Sequence, residues 1–250
     1  MACESTKLPF WPSGIRGALS LSFDDARWSQ TAHGFPLLDP HGVKATFYVS
    51  LKPMEQKLEA WRQAAANGHE IGNHTLTHPC SGNFSFSRPN ALEEYSLEQM
   101  ERDEILGANA AIEKLLGVRP VTFAYPCGQT YVGRGEQVRS YVPVVAKHFL
   151  VGREFMGESA NDPAFCDLAQ AQAQSVDGLS FDQMKAWVDG TVQQGHWLIF
   201  AGHDIGAGGR QVTLAGELEE LCRYAKDPAN GIWVDTVAAI GKYVRDNSPG

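Results

Sequence analysis

The chain has 250 residues, of which 43% are hydrophobic and 20% are charged. This composition is typical of a globular protein with a sizeable core and excludes a disordered, collagenous or coiled-coil chain. Its 29 acidic and 21 basic residues give a formal net charge of −8. Because the basic residues form no block, nucleic acid is an unfavourable partner. No apolar run approaches the roughly 18 residues that a membrane-spanning helix needs, so we expect no transmembrane segment.

Short β-rich apolar runs alternate with longer amphipathic stretches along the whole chain. The predicted strands are residues 18–25, 44–50, 70–74, 122–126, 149–153, 171–176, 197–203 and 232–235. The predicted helices are residues 53–67, 96–116, 137–147, 180–194, 214–226 and 237–246. Two of these helices begin with a Ser-x-x-Gln capping box, at Ser96 and at Ser180. The alternation predicts one α/β domain over residues 1–250, with a parallel sheet that is open or closed into a barrel.

One stretch, PCSGNFSFSRPN at residues 79–90, is rich in the residue types that form loops. We expect it to be a surface loop. Its two aromatic residues, Phe84 and Phe86, either line a cleft or pack the loop onto the body of the protein. The pattern does not distinguish these two arrangements.

The cysteines do not follow the spacing of a disulfide scaffold or a zinc ribbon. The five residues are far apart and include no CxxC pair: Cys3, Cys80, Cys127, Cys166 and Cys222. We expect most of them to be buried or incidental thiols. The pattern does not exclude one disulfide. The first residues, MACESTKLPFWPSG, contain no apolar core of a signal peptide. A chain from which a signal has been removed would look the same.

Titratable residues follow several predicted strands at the point where each strand ends. Asp24 and Asp25 end the first strand, His74 ends the third, Cys127 follows the fourth and His203 ends the seventh. In α/β proteins, functional groups gather at the carboxyl ends of parallel strands. The sequence therefore predicts a single polar site at one end of the sheet.

Two of these groups have the composition of a metal site. Adjacent strand residues point to opposite faces, so Asp24 and Asp25 can share a site only where the strand becomes a loop. Two carboxylates so close together resist ionising unless a cation holds one of them. His74 and His78, spaced i and i+4, lie on one helix face or in a loop, and imidazoles are common ligands of divalent ions. With a carboxylate they would form an open catalytic set; the alternative is a solvated acidic turn beside two unrelated histidines.

The segment WLIFAGHD is the most hydrophobic predicted strand and ends in His203 and Asp204. A buried strand with this ending places an imidazole at the mouth of the site beside a carboxylate. His203 is therefore a candidate general acid or base. The alternative is a strand-end histidine that is held by local hydrogen bonds.

Four ordered segments together resemble the polysaccharide deacetylase family, the NodB-homology domain of carbohydrate esterase family four. They are SFDD at residues 22–25, GHEIGNHTLTHP at 68–79, YPCG at 125–128 and IFAGH at 199–203. The resemblance covers about residues 18–204, and its second motif is the most specific. It implies a distorted (β/α) barrel of mainly parallel strands.

The resemblance also implies a metal centre. The matching positions would bind one divalent ion through Asp25, His74 and His78. Zinc is the first expectation, with cobalt, nickel and manganese as alternatives, because two imidazoles and a carboxylate do not select one metal.

Three further roles follow from the same resemblance. Asp24 would be the base that deprotonates a metal-bound water, which then attacks an acetyl carbonyl. The backbone N–H of Cys127 would donate to the developing oxyanion, a role that does not depend on the side chain. His203 would protonate the departing amine or alcohol.

Two positions depart from the family pattern. Ala124 lies where the third motif has an arginine that orients the catalytic aspartate, and Arg153, at the end of the next strand, is a candidate replacement. An Asp-Trp pair that supports the catalytic histidine has no clear counterpart. Asp177 and Asp182 are the nearest aspartates, and Trp187 is the nearest tryptophan.

The sequence therefore favours a metal-dependent hydrolase that removes N-acetyl or O-acetyl groups from a carbohydrate such as chitooligosaccharide, peptidoglycan or acetylated xylan. It would cleave non-peptide C–N or carboxylic ester bonds. The alternatives are a metal-free amidohydrolase of small cyclic imides or ureides, a catalytically silent carbohydrate-binding relative, and a non-haem iron oxygenase with the same ligand types. The family resemblance implies a secreted or periplasmic protein, and the sequence gives no indication of the oligomeric state.

Overall fold

The computed structural model describes residues 10–249 and contains all eight predicted strands. In chain order the strands are β1 (Gly17–Asp24), β2 (Thr46–Val49), β3 (Glu70–Asn73), β4 (Thr122–Ala124), β5 (Tyr131–Val132), β6 (Arg139–Ser140), β7 (Val151–Arg153), β8 (Gln174–Ser175), β9 (Trp197–Gly202), β10 (Asp204–Gly206), β11 (Val212–Leu214) and β12 (Ile232–Val234). The α-helices are α1 (Phe35–Leu38), α2 (Leu51–Glu55), α3 (Leu58–Ala66), α4 (Leu97–Gln99), α5 (Gly107–Leu116), α6 (Val142–His148), α7 (Phe181–Gln194), α8 (Ala215–Lys226) and α9 (Val237–Asn247).

The main sheet is entirely parallel, with the strand order β7-β4-β3-β2-β1-β9-β8 and with β12 paired to the start of β1. Its two edges approach each other at the segment 171–175. Ala171 forms backbone hydrogen bonds of 2.8 Å with Gly152 of β7 and with Glu154 just after it, while Gln174 pairs with Phe200 of β9. The sheet therefore curls into a distorted barrel, which confirms the predicted fold class.

The alternation of β1 determines which side chains face the barrel interior. Leu19, Leu21 and Phe23 pack into the core between the sheet and the helices. Ser22 lies on the opposite face, where its hydroxyl donates to the Phe200 carbonyl at 2.7 Å. Because the strand has a period of two, Asp24 also points to this interior face. Burial of the large apolar side chains contributes roughly 1.5–3 kcal/mol each to the free energy of unfolding.

Two helix predictions are wrong in their bounds. The predicted helix 137–147 begins only at Val142, because Arg139–Ser140 pairs with Tyr131–Val132 in a short antiparallel ribbon. Pro143 then lies in the first turn, where a proline is well tolerated. The predicted helix 53–67 is divided into α2 and α3.

Both predicted capping boxes are present. Ser96 and Gln99 exchange side-chain-to-backbone hydrogen bonds at the start of α4, and Ser180 and Gln183 do so at the start of α7. α4 continues without a break through a wider turn, Met100–Leu106, into α5. In the described part of the chain, no helix is long and apolar enough to cross a bilayer.

Candidate active site

The carboxyl ends of β1, β3, β4, β7 and β9 meet at one end of the barrel. β1 ends at Asp24, and Asp25 and Ala26 follow with φ angles of 75° and 54°. These left-handed conformations are uncommon for residues other than glycine and turn the chain sharply. The turn brings the Asp25 carboxylate to the same side as that of Asp24, as the sequence required for the two to share a site.

His74 and His78 lie in a loop and not on a helix. The rings pack edge to face with centroids 4.7 Å apart, and the loop includes left-handed residues at Thr75 and His78, with φ of 64° and 56°. The loop is held by the helix that runs from α4 to α5. Glu104 of this helix accepts hydrogen bonds from the backbone N–H groups of Leu76 and Thr77, at 3.1 and 2.8 Å.

Asp25, His74 and His78 converge, with one ligand atom from each within 4.8 Å of the others. The Nε2 atoms of His74 and His78 lie 3.8 and 3.6 Å from Asp25 Oδ1. His74 Nδ1 is 2.9 Å from the Ala124 carbonyl, so it carries the proton and leaves Nε2 free to bind a metal. Burial lowers the pKa of His74 to about 4, which keeps the ring neutral at physiological pH. This set of donors fits one divalent ion.

Arg27 holds the remaining oxygen of the Asp25 carboxylate. Its Nη2 and Nε atoms lie 3.0 and 3.2 Å from Asp25 Oδ2, and its Nη1 atom donates to Asp204 at 2.8 Å. One carboxylate oxygen is thereby occupied, while the other faces the two histidines. The sequence interpretation missed Arg27; its position two residues after Asp25 was the only available signal.

Arg153 forms an ion pair with Asp24, and its Nη2 atom lies 2.5 and 2.7 Å from the two carboxylate oxygens. Arg153 is the register partner of Ala124 on the neighbouring strand. The arginine that the third motif lacks is thus supplied from the adjacent strand, as the sequence suggested. Burial alone would raise the pKa of Asp24, but Arg153, together with His74 and His203, brings this pKa below its ordinary value.

His203 lies across the site and is held by Asp177, one of the two aspartates that the sequence suggested. Asp177 Oδ2 is 2.6 Å from His203 Nδ1, and its Oδ1 accepts from the His203 backbone N–H at 3.2 Å. Burial would lower the pKa of His203, but the hydrogen bond to Asp177 and the charge of Asp24 raise it overall. Asp182 is instead in the first turn of α7. Asp204, the residue after His203, accepts hydrogen bonds from Arg27 and Ser29.

Cys127 lies just beyond β4, and its backbone adopts a left-handed conformation with φ of 54°. Its side chain forms a disulfide with Cys80, with a Cα–Cα distance of 6.2 Å. This pair is the one disulfide that the sequence left open, and its partners could not be identified because a pairing between distant loops leaves no local sequence pattern. Cys166 and Cys222 are free thiols, and Cys3 lies outside the described residues.

Exposed apolar side chains follow two groups of site residues in the chain. Trp28 follows Arg27, and Phe84 and Phe86 pack with ring centroids 5.5 Å apart on the loop after His78. Both phenylalanines are exposed, so they do not pack the loop onto the body of the protein.

A family model described as polysaccharide deacetylase matches residues 14–141, which is 128 of the 250 residues. The chain belongs to the polysaccharide deacetylase family. The matched segment includes Asp24, Asp25, His74, His78 and Cys127, and it ends before His203.

Two curated proteins share part of the sequence. The chitooligosaccharide deacetylase of Bradyrhizobium sp. strain ANU 289 is 36% identical over 101 residues, which is 40% of either protein. The uncharacterized protein YlxY of Bacillus subtilis strain 168 is 33% identical over 93 residues, which is 37% of this chain and 25% of that protein. The alignments thus span less than half of the length of these relatives.

Two solved structures share the fold over most of their length. A candidate polysaccharide deacetylase from Mycobacterium smegmatis has a TM-score of 0.66 at 18% identity, covering 94% of this chain and 92% of that one. A family 4 acetyl xylan esterase from Clostridium thermocellum, solved with a cobalt ion, has a TM-score of 0.60 at 22% identity, covering 93% of each. At these identities the likeness concerns the fold.

Proposed function

We propose that the protein is a metal-dependent hydrolase that removes acetyl groups from a carbohydrate. The observation that carries the proposal is the arrangement at the barrel mouth. Asp25, His74 and His78 converge as one set of donors, and a second carboxylate, Asp24, lies beside them in an ion pair with Arg153. Membership of the polysaccharide deacetylase family supports the same assignment.

The three donors would hold the divalent ion. When bound there, it would act as a Lewis acid that polarises the acyl carbonyl and lowers the pKa of a coordinated water. Zinc suits two imidazoles and one carboxylate, and cobalt, nickel or manganese are also compatible. Cobalt is the ion in the C. thermocellum esterase structure.

Asp24 would accept a proton from the attacking water. The contact with Arg153 keeps its carboxylate ionised and fixes its orientation. The carbonyl oxygen gains negative charge during the attack, and a preorganised donor that faces this charge lowers the barrier. We assign this donor to the backbone N–H of Cys127.

His203 would protonate the leaving group. Its Nδ1 atom is 2.6 Å from Asp177, which leaves the Nε2 atom, 3.4 Å from the side-chain amide nitrogen of Gln211, to carry the transferable proton. The raised pKa keeps the imidazole protonated to a higher pH than that of a free histidine. An amide leaving group requires such protonation because the unprotonated amine anion is a very poor leaving group.

The substrate class that we favour is an N-acetylated chitooligosaccharide, on the basis of the Bradyrhizobium relative. We further assign residues 1–250 to one catalytic domain. We also place the protein outside the cytoplasm, because a disulfide persists in oxidising compartments.

Two of the three rival functions fit the site less well. A small-molecule amidohydrolase that works without a metal does not require that Asp25, His74 and His78 converge. A silent carbohydrate-binding relative has no use for Asp24 and His203, each of which has a charged partner of its own.

The test is acetate release from chitooligosaccharides, peptidoglycan fragments and acetylated xylan. We expect release from at least one substrate, a loss of at least tenfold after EDTA treatment, and recovery on addition of Zn²⁺ or Co²⁺. Release that is unaffected by complete removal of metal would refute the metal-dependent mechanism. If one ion binds per chain and no substrate is cleaved, the carbohydrate assignment fails.

A further inference from the structure

The Cys80–Cys127 disulfide joins the two loops that carry different parts of the proposed chemistry. Cys80 follows the metal-ligand candidate His78 by two residues, and Cys127 is the proposed oxyanion donor itself. The loops leave neighbouring parallel strands, β3 and β4, which share a single register pair, Asn73 with Phe123. Because the ladder between these strands is so short, it provides little restraint beyond the strand ends.

The disulfide is also in contact with the side chain of His78. Cys80 Sγ lies 3.6 Å from His78 Nδ1, on the side of the ring opposite to the Nε2 atom that faces Asp25. His74 is oriented differently, by the carbonyl of Ala124. Among residues 10–249, the sulfur is the hydrogen-bonding neighbour that we find for His78 Nδ1. The disulfide therefore takes the place of the carbonyl or carboxylate that usually orients a ligand histidine.

The two ends of the disulfide are anchored unequally. Cys80 is buried, its N–H and its carbonyl are both hydrogen-bonded to Ser87, and its carbonyl also accepts from Leu92. Cys127 lies in a tight turn with φ of 54°, and the turn is fixed to the other loop a second time by a hydrogen bond of 2.7 Å from Ser81 N to Gln129. The firmly held Cys80 side thus restrains the Cys127 side.

We propose that the disulfide positions His78 and the Cys127 N–H for catalysis, so that reduction of the disulfide lowers the activity of the enzyme. This inference rests on the proposed function. The reaction is thiol–disulfide exchange with a dithiol reductant. The S–S bond breaks, two electrons and two protons pass to the sulfurs of Cys80 and Cys127, and the dithiol is oxidised to its own disulfide. The Ser81–Gln129 hydrogen bond then remains as a direct contact between the two loops.

The experiment compares full-length protein before and after treatment with dithiothreitol, with thiol titration to verify that two additional thiols form. We expect kcat/KM for the best substrate to fall about 10–100-fold, which is the usual effect of removing a group that orients a metal ligand. Reoxidation should restore the activity. The Cys80→Ser/Cys127→Ser variant should have the same low activity and should not respond to dithiothreitol.

Two controls separate positioning from other effects. The Cys166→Ser/Cys222→Ser variant retains the disulfide and should respond to reduction as the unmodified protein does. Affinity for Co²⁺, followed by visible absorption, is measured on the Cys80→Ser/Cys127→Ser variant, because free thiols beside His78 could themselves bind the ion. We expect the dissociation constant of this variant for Co²⁺ to rise about tenfold.

Several outcomes would overturn the inference. They are unchanged activity in fully reduced protein, an equal response to dithiothreitol in the Cys80→Ser/Cys127→Ser variant, unchanged Co²⁺ affinity, or a loss of activity that coincides with unfolding in circular dichroism. Failure of the proposed function itself would be distinguishable. In that case even the oxidised protein would release no acetate, whether or not it bound Co²⁺.

Discussion

At the scale of single residues, each candidate catalytic group is held by one charged partner. Arg153 contacts both oxygens of Asp24, and Asp177 contacts His203. The partners divide the acid and base roles, because a cation keeps a carboxylate ionised and an anion keeps an imidazole protonated. The sequence identified Arg153 and Asp177 only as candidates, since both contacts join residues that are far apart in the chain.

We expect Arg153→Ala to lower kcat about 10²–10³-fold, because Asp24 would lose the contact that orients and ionises it. Arg153→Lys should be intermediate, since an ammonium retains the charge but not the planar contact with both oxygens. Co²⁺ affinity should remain within a few fold, because Arg153 does not contact the three metal-ligand candidates. Steady-state kinetics measure kcat, and a Co²⁺ titration measures the metal affinity. Wild-type kcat in Arg153→Ala would contradict the replacement of the family arginine by Arg153.

The pH dependence of kcat/KM should report the protonation of His203. The pKa of His203 is raised, so activity should persist above the ordinary titration range of histidine and fall as pH rises through the raised pKa. Asp177→Asn removes the hydrogen-bonded anion and should lower this pKa, which moves the alkaline limb of the profile to lower pH. An alkaline limb that stays in place in Asp177→Asn would exclude His203 as the group that it reports.

At the scale of elements, the loop 74–78 depends on the helix that runs from α4 to α5. Asn73 donates to Asn109 at 2.7 Å and to the Ile105 carbonyl at 2.9 Å, while Glu104 accepts from two backbone N–H groups of the loop. These contacts explain how a loop with two left-handed residues can hold two ligand histidines. The hydrophobic periodicity predicted the helix, but it gave no indication that Glu104 points inward.

We expect Glu104→Gln to weaken Co²⁺ binding about tenfold, because the loop would lose a charged acceptor that orients it. The free energy of unfolding should fall by about 1–3 kcal/mol, since buried N–H groups would be left less well satisfied. Glu101→Gln is the matched control on the same helix, where Glu101 pairs with Lys147 on the surface. Titration with Co²⁺ and urea denaturation give the two values. Equal Co²⁺ affinities in the two variants would contradict the role of Glu104.

The elements were predictable to different degrees. Each strand of the main sheet was predicted within a few residues of its bounds, because a buried parallel strand is a short apolar run between turn residues. The ribbon formed by β5 and β6 was missed, since each of its strands has only two residues. The wider helical turn Gln30–Gly34 after β1 was missed as well, because it contains few apolar residues to reveal a period.

At the scale of the whole molecule, the barrel determines which distant residues meet. Strand order and register bring Asp24, His74, Arg153 and His203 to one end, although they span 180 positions of the sequence. Four ordered motifs made this convergence predictable for the groups within them. Arg27, Cys80 and Arg153 lie outside the motif positions that carry chemistry, so their contacts could be read only from the folded chain.

The exposed aromatic pair Phe84 and Phe86 provides a prediction about the substrate. Aromatic faces pack well against the apolar faces of sugar rings, and these two side chains are on the loop that follows His78. We expect Phe86→Ala to raise KM for longer chitooligosaccharides about 3–10-fold with little change in kcat, as is typical of uniform binding. Phe165→Ala is the control, since this exposed side chain lies near Asn161, which pairs with the start of β9 at the opposite end. An equal KM in both variants would contradict the prediction.

The central claim is that Asp24 acts as the base while Asp25, His74 and His78 hold the metal. The most direct test measures bound Co²⁺ per chain and acetate release on the same samples of Asp24→Asn and His74→Ala. We predict that Asp24→Asn binds one ion per chain and loses turnover at least about 10²-fold, whereas His74→Ala loses both binding and turnover. Near-wild-type turnover in Asp24→Asn, or full metal occupancy in His74→Ala, would contradict this division of roles.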